Sequence, residues 1–381
     1  MLYVDVRALS EIVSILMRAM SFAGKGSEFP LALDQLSHAI DSALWEEKIR
    51  YFRSLWYLLE EDDQARAIRE LSAIELDACR DPEILQLHLQ LASSGLSLAE
   101  RLRLVDRVLA VTEKESEKLQ YSLVKAMYYA LVGEETDAMN LVRTAVDRYR
   151  AQDSLKRSEY GEMFLAEALS FLGRLDEDQA ATREALGLYE QLISDRLEKG
   201  ASRGGFLASL RKSAGDCCLT LREFGDAVFY YQESLSTESA ELTKLFLAKA
   251  WIELEDLDRG RSMLAQIDVT AFDENCMLDR ALFTCDLALK SRTEADRLEA
   301  ISLLKAATAT HPLFEKYRQD ALLGLIELKP CGSPKRLQQV LQRLGRYVTL
   351  NPNLFGFGLD LNKVLDDIAS SRRNRGPGSE T

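Results

Sequence analysis

The sequence contains few residues that break helices or bind metals. Its 381 residues include seven prolines and three histidines, and its six cysteines form no Cys-x-x-Cys pair. Because a metal site needs several ligands at close spacing, we expect neither a metal nor another cofactor. No apolar run reaches the roughly 18 residues that span a bilayer, and acidic residues stand near the start, where a secretory signal would be basic. These absences predict a soluble intracellular protein, cytoplasmic or nuclear, with reduced cysteines.

Positive charge is also scarce. Lys and Arg together number 48, against 61 for Asp and Glu, and the formal net charge is -13. A surface with this excess of negative charge repels phosphate backbones and anionic lipid headgroups. We therefore expect no direct nucleic acid ligand and no membrane binding.

No recognisable catalytic motif stands in the structural context that it requires. The Gly-x-Ser-x-Gly match at residues 200–204 falls in a predicted loop after a long helix, whereas a nucleophile elbow follows a strand, so no such elbow is expected. Cys217 and Cys218 are adjacent, so a helix would point their side chains about 100° apart, and the pair cannot share a metal. We expect both thiols to pack in the core rather than to do redox chemistry, because free cysteine often serves as a small buried hydrophobe. No catalytic residue is predicted, and the protein is not expected to be an enzyme.

Apolar residues recur at the spacing of an α-helix. Between the prolines they fall at positions i, i+3, i+4 and i+7 with almost no alternation, which predicts an all-α fold. The clearest stretch is KAMYYALVGEETDAMNLVRTAV at 125–146. Ala126 and Tyr129 lie on its first predicted helix, and Ala138 and Val142 lie on its second.

This arrangement resembles the tetratricopeptide repeat (TPR) family, whose unit is a helical hairpin of about 34 residues with small and large residues at fixed places. The resemblance covers about residues 50–350 and implies a TPR-like α-solenoid of stacked antiparallel helical hairpins that coil into a right-handed superhelix. One matching hairpin carries Asp178 where the family has a small residue. Further matching residues are Ala67 and Leu71; Ala166, Gly173, Thr182 and Ala185; Gly215, Ala227 and Tyr231; Ala248, Gly260 and Leu264; and Ala300, Leu304 and Ala307.

The pattern divides the chain into four predicted parts. Residues 1–46 are interpreted as N-terminal capping helices and residues 47–353 as the TPR-like array. Residues 354–370 are predicted to form a C-terminal capping helix, and residues 371–381 a disordered tail. Within the array, Pro312 is expected to close the second helix of its hairpin.

Acidic residues cluster where several hairpins enter their second helix. Asp63, Glu134, Asp178 and Asp256 belong to four such clusters. Acidic side chains at that position can cap free N–H groups and favour the positive end of the helix dipole, each contributing roughly 0.3–1 kcal/mol. Capping is the favoured interpretation, and an acidic rim that attracts a basic partner is the alternative.

The first helices of such arrays line the concave face, so their side chains outside the packing seam are candidates for partner binding. Over half of them are apolar, and Met and aromatic residues with scattered charges favour a groove for a helical or extended segment of another protein. The alternatives are that the protein's own helices cover the groove or that two copies pair through it as a homodimer. The predicted groove residues are Leu123, Met127, Tyr160, Met163, Glu167, Lys212, Asp216, Leu245, Lys249 and Ile252.

The sequence thus predicts a non-enzymatic adaptor or assembly subunit that binds a partner protein in its concave groove. The alternative is a ligand- or peptide-gated regulator that switches a partner. Family members that hold the acidic tails of heat-shock chaperones use Lys and Asn side chains one turn apart. Lys212 fits that pattern, but Asp216 and Lys249 replace the asparagines, so this carboxylate clamp is not expected.

Overall fold

The computed structural model describes residues 12–17, 28–39, 43–59, 63–76, 78–92, 96–152, 158–200, 204–272, 274–307 and 312–327, together with the single residues 10, 20 and 61. Over these residues the regular secondary structure is helical and contains no strand. The predicted all-α, TPR-like solenoid fold is therefore confirmed. The predicted C-terminal capping helix at 354–370 and the tail at 371–381 lie outside the described residues.

The chain divides into two compact units, residues 1–113 and residues 114–381. In the first unit Ala67 and Leu71 are fully buried in their helix, as expected of packing positions. The predicted boundary between the cap, which ends at residue 46, and the array, which starts at residue 47, lies inside the helix Ala43–Leu59, and the division into cap and array remains a prediction. Residues 12–17 of this unit are helical, and they are followed by α1 (Phe29–Ala39), α2 (Ala43–Leu59), α3 (Gln64–Ser72), α4 (Pro82–Ala92) and α5 (Leu98–Val111).

The described part of the second unit contains five successive helical hairpins and the start of another. Each helix packs against the helix that follows it, which is the arrangement of a solenoid. The hairpins are α6 and α7 (Glu115–Leu131, Glu135–Arg150), α8 and α9 (Glu159–Leu175, Gln179–Glu198), α10 and α11 (Gly205–Thr220, Phe224–Thr237), α12 and α13 (Glu241–Glu253, Leu257–Ala265), and α14 and α15 (Glu274–Ser291, Glu294–Ala306), followed by α16 (Pro312–Glu327).

Each of these five hairpins turns at one residue with a left-handed backbone. The φ angles are 85°, 54°, 63°, 64° and 54°, and the residues are Gly133, Glu177, Arg222, Glu255 and Arg292. In three of the turns the backbone N–H of the residue after the turning residue donates to the carbonyl five residues before it. This hydrogen bond closes the first helix. The turning residues lie 44, 45, 33 and 37 residues apart, so most of these units exceed the family length of about 34.

Small residues let the helices of a hairpin approach closely. A methyl group at Gly215 would lie 2.7 Å from the Tyr231 ring, and one at Gly173 would overlap the Thr182 hydroxyl. Thr182 therefore makes the small-residue contact of the α8–α9 hairpin. Asp178 stands one turn earlier and caps α9, because its Oδ1 accepts hydrogen bonds from the N–H groups of Ala180 and Ala181 at 2.9 and 3.3 Å.

The capping interpretation of the acidic clusters is confirmed at three helices. Asp63 caps α3 and Asp256 caps α13 in the same way that Asp178 caps α9. Glu134 precedes α7 without a capping hydrogen bond from its side chain. The expectation for Pro312 is wrong: α15 ends at Ala306, and Pro312 begins α16. The first position of a helix suits proline because its N–H would have no partner there.

Membrane crossing requires a long apolar helix. Across the residues described above, no helix combines the necessary length with the necessary apolar character.

Candidate functional site

A pocket opens among the first helices of three consecutive hairpins, α6, α8 and α10, and one side chain of α9 completes its lining. Its volume is about 40 Å³, which is room for about three water molecules. All of its lining residues belong to the second unit. One wall is apolar and is formed by Leu123, Val124, Met127, Phe164 and Phe171.

Helical spacing explains why these residues share one surface. Side chains at i, i+3, i+4 and i+7 lie on the same face of a helix. Two such stripes face the pocket, and α9 and α10 supply three further residues. The α6 stripe is Gln120, Leu123, Val124 and Met127; the α8 stripe is Phe164, Glu167, Ser170, Phe171 and Arg174; the remaining residues are Tyr189, Ser213 and Asp216.

Glu167 lies half-buried in the pocket lining. Burial raises the pKa of its carboxyl group to about 8, because removal from water disfavours the charged form, although the positive charges of Arg174 and Lys212 act in the opposite direction. The pKa of the neighbouring Tyr189 hydroxyl is raised by burial and by the negative charge of Glu167. Near neutral pH the Glu167 carboxyl is therefore mostly protonated and can donate a hydrogen bond.

Arg174 stands two turns beyond Glu167 on the same stripe of α8. Its Nε is buried, and the described residues offer it no hydrogen-bond acceptor. Arginine keeps its charge in proteins, and a buried donor without a partner costs about 1–3 kcal/mol. The pocket therefore contains a cationic group with unused donor capacity.

Asp216, in contrast, has its hydrogen bonds satisfied by this protein. Its Oδ1 accepts from the Tyr231 hydroxyl at 2.7 Å, and its Oδ2 accepts from Lys212 Nζ at 2.8 Å. Lys212 Nζ also lies 4.8 Å from the centre of the Phe246 ring, where the ring face attracts a cation. These contacts fix both charged groups in place and cancel their charges.

Lys249 is held in a second charge cluster, outside the pocket lining. Its Nζ donates to Glu253 at 2.6 Å and to Asp286. Burial lowers the pKa of Lys249, but the negative charges of Asp286 and Glu253 outweigh burial and raise it overall. Lys212 and Lys249 are thus both paired within this protein.

Four of the ten predicted groove residues line this pocket: Leu123, Met127, Glu167 and Asp216. Lys212 adjoins it through Asp216. Tyr160 is 38% exposed and packs on Phe206, with ring centres 5.4 Å apart. It is not part of the pocket lining.

Three predicted groove residues lie in the hydrophobic core without lining the pocket, whereas Leu123 and Met127 belong to the core and also line the pocket. Met163, Leu245 and Ile252 are at most 1% exposed and pack within the helical hairpins. A methyl group at Gly260 would lie 2.6 Å from Ile252 Cγ1, so Ile252 faces α13. Leu245 and Ile252 therefore do not form an open groove surface along α12.

The adjacent cysteines pack as predicted. Cys217 and Cys218 are fully buried, and burial raises the pKa of each thiol to about 12. Both thiols are therefore protonated at physiological pH and are poor nucleophiles. The described residues include no group of three or more His, Cys, Asp or Glu side chains arranged to hold a metal ion.

Sequence reasoning missed Arg174, Tyr189 and most of the apolar wall. A usable signal was present, because Arg174 follows Glu167 at i+7, the same spacing that relates Gln120 to Met127. Extending the two stripes along their helices would have found most of the lining. Tyr189 gave no such signal, since it comes from a second helix.

No protein-family model and no curated protein matches the sequence, but solved structures do. The crystal structure of a Rap protein complexed with Competence and Sporulation Factor is 15% identical, with a TM-score of 0.51, and the match covers 94% of this chain and 98% of that chain. The apo form of RapI is 12% identical with a TM-score of 0.47, over 92% of this chain and 98% of that one. The likeness to the Rap complex shows a shared helical-repeat fold.

Proposed function

We propose that this protein is a non-enzymatic adaptor or assembly subunit that binds a helical or extended segment of a partner protein. The single observation that carries the proposal is the pocket formed by the first helices of three consecutive hairpins. Adjacent apolar and polar lining residues at one concave site are typical of a binding site. Within the described part of the chain this pocket combines four of the predicted groove residues.

The pocket residues favour binding over catalysis. Ser170 accepts a hydrogen bond from Cys217 Sγ at 3.7 Å, and Ser213 is hydrogen-bonded to Tyr189. Among the described residues neither hydroxyl is paired with a histidine or a carboxylate base, which activation of a serine nucleophile requires. The lining instead offers Met127 and two phenylalanines, side chains that adapt to or anchor a partner.

A second candidate function is a ligand- or peptide-gated regulator. Two observations favour it: the small pocket joins three hairpins, and the Rap protein of the same fold was solved complexed with Competence and Sporulation Factor. A ligand that contacts α6, α8 and α10 at once would bias how these helices stack. Ligand-induced compaction in small-angle scattering would support the regulator over the plain adaptor.

The test is to fill the pocket without disturbing the core. Gln120 is half-buried at the pocket, so Gln120→Trp places a large ring there. Asn140 is exposed on α7, and Asn140→Trp serves as the matched control. Tagged full-length chains would capture proteins from a native lysate for mass spectrometry, with circular dichroism to verify folding.

We expect the unaltered chain and Asn140→Trp to capture the same partner and Gln120→Trp to lose it. A captured protein identical to the bait would identify the partner as a second copy, that is, a homodimer. Equal capture by all three chains would contradict the proposed binding site.

A further inference from the structure

We propose that the pocket binds a carboxylate attached to a short apolar group, with the carboxylate held by Arg174 and the apolar group against Leu123 and Met127. The inference rests on the proposed function, because it names the ligand chemistry of the same pocket. It follows from the unused donor of Arg174, from the charge balance of the lining and from the size of the apolar space.

Arg174 carries an unused hydrogen-bond donor, because its buried Nε has no acceptor among the described residues. Buried polar groups in folded proteins are nearly always hydrogen-bonded, so an exception at a pocket indicates a group that a ligand can satisfy. A carboxylate matches a guanidinium especially well, because its two oxygens can accept two parallel N–H bonds.

The charges of the pocket lining do not balance. The Lys212–Asp216 pair is neutral as a whole, and α6 contributes no ionisable side chain to the lining. Burial raises the pKa of Glu167 to about 8 and raises that of Tyr189 as well, so both are mostly neutral at pH 7. Arg174 therefore leaves one positive charge uncompensated.

This charge selects among ligand classes. An amine would be repelled by Arg174, and an amide would leave its charge unbalanced. A carboxylate compensates it and can also accept a hydrogen bond from the protonated Glu167. The net charge of -13 has little effect on a ligand in the pocket, because physiological salt screens exposed charges that are more than about 8 Å away.

The size of the pocket limits the apolar group that it can hold. A volume of about 40 Å³ holds about three water molecules, which is close to the three carbons of an isopropyl group. A C-terminal valine of a partner segment and a free branched-chain acid both present a carboxylate next to such a group. The two sources share one chemistry, and the experiment separates them.

The experiment uses the full-length chain in isothermal titration calorimetry with three probes: acetyl-Gly-Gly-Val with a free carboxylate, the same peptide as its C-terminal amide, and 3-methylbutanoate. We expect the free peptide to bind at least about tenfold more tightly than the amide, as loss of a charge-assisted hydrogen bond implies. Binding of 3-methylbutanoate alone would assign the site to a free acid. Equal binding of peptide and amide, or no binding of either acid, would overturn the inference.

Variants locate the carboxylate. Arg174→Gln should weaken binding of the acid at least about tenfold. Arg183→Gln, an exposed arginine of α9 that pairs with Glu223 at 3.0 Å, should leave it unchanged. Arg174→Lys retains the charge and should restore part of the affinity. If Arg174→Gln, verified as folded by circular dichroism, binds the acid normally, Arg174 is not the carboxylate site.

Glu167 supplies a readout that a purely structural role of Arg174 would not give. As pH rises through about 8, Glu167 ionises and repels the carboxylate, so affinity for the acid should fall. Lys212 and Arg174 face Glu167 with positive charge, and Tyr189 and Asp216 lie beside it. Glu167→Gln cannot ionise and should bind the acid equally at pH 7 and pH 9.

Partner capture separates this inference from the proposed function. If Gln120→Trp loses the partner but Arg174→Gln keeps it and no acid binds, the carboxylate inference fails and the adaptor proposal stands. If Gln120→Trp also keeps the partner, the proposed binding site fails as well.

Discussion

Single residues in the hairpin turns determine where each second helix begins. Gly133 adopts a left-handed backbone at no steric cost, whereas Glu177, Arg222, Glu255 and Arg292 adopt it with a Cβ present. That conformation costs a non-glycine residue roughly 1–2 kcal/mol. Four of the five turns are therefore strained locally, and the packing of the flanking helices holds them in place.

Replacing glycine by alanine should have opposite effects at two positions. Gly133 has a φ of 85° and Gly187 lies exposed within α9, and a methyl group at either would meet no atom within 4 Å. The two substitutions therefore differ only in the backbone conformation of the residue that is replaced. We expect Gly133→Ala to lower the free energy of unfolding by about 1 kcal/mol and Gly187→Ala to raise it by about 0.5–1 kcal/mol. Urea denaturation measures both, and a gain in stability at Gly133 would contradict the assignment of the turn.

The pocket also illustrates how far individual residues can be predicted. Leu123, Met127, Glu167 and Asp216 could be placed on the pocket because helical spacing fixes the direction of a side chain. Arg174 could not, because its sequence position near a helix end equally suits a solvated residue beside the last carbonyls. Only the packing of α8 against its neighbours shows that its Nε is buried.

At the level of elements, neighbouring hairpins are joined by ion pairs as well as by apolar contacts. Asp296 of α15 is nearly buried and accepts hydrogen bonds from Arg261 of α13, Nε to Oδ1 and Nη2 to Oδ2, each at 2.9 Å. The hydrogen bonds from Arg261 lower the pKa of Asp296 to about 2. This two-point contact joins the second helices of two successive hairpins.

Asp296→Asn should destabilise the protein by about 1–2 kcal/mol at pH 7, since it weakens two charge-assisted hydrogen bonds to a partly exposed arginine. The folded-state pKa of Asp296 lies below its ordinary value of 3.8. The contribution of the carboxylate is therefore complete above about pH 4 and is lost as pH falls toward 2. Urea denaturation at several pH values should show the difference between wild type and variant narrowing below pH 4.

Glu294→Gln is the control for this prediction. Glu294 lies in the same helix and its side chain is 58% exposed while it pairs with Arg297. Removing its charge should change stability little, because water screens exposed pairs. Equal effects of the two substitutions would show that the contact between α13 and α15 is not specific.

The positions of the helices could largely be predicted from the sequence. The alignment of each hairpin with the repeat pattern could be predicted less well. Apolar spacing identified the helices, and Ala126, Ala138 and Val142 are fully buried as the pattern requires. The α8–α9 hairpin was misaligned by one turn because Asp178 resembled a substituted small residue, whereas it caps α9 and Thr182 makes the contact. Pattern matching alone cannot separate a cap from a packing position when both lie at a helix start.

On the scale of the whole molecule, a solenoid gains its stability from contacts between neighbours in sequence. In the described part of the second unit each helix packs on the next one, and the first helices also contact the first helix of the adjacent hairpin. Such proteins lose terminal repeats without losing the fold of the remainder, because few contacts join distant repeats. The pocket lies wholly within residues 114–381, the second compact unit.

A fragment of residues 114–381 should therefore fold alone and capture the same partner as the full chain. A shorter fragment, residues 158–381, should remain helical but lose the partner, because it lacks α6 and with it Leu123 and Met127 of the apolar wall. Circular dichroism with thermal unfolding measures folding, and affinity capture measures binding. If the 114–381 fragment does not fold, the second unit depends on the first. If the 158–381 fragment folds and still captures the partner, the partner binds outside the pocket, because the pocket cannot form without α6.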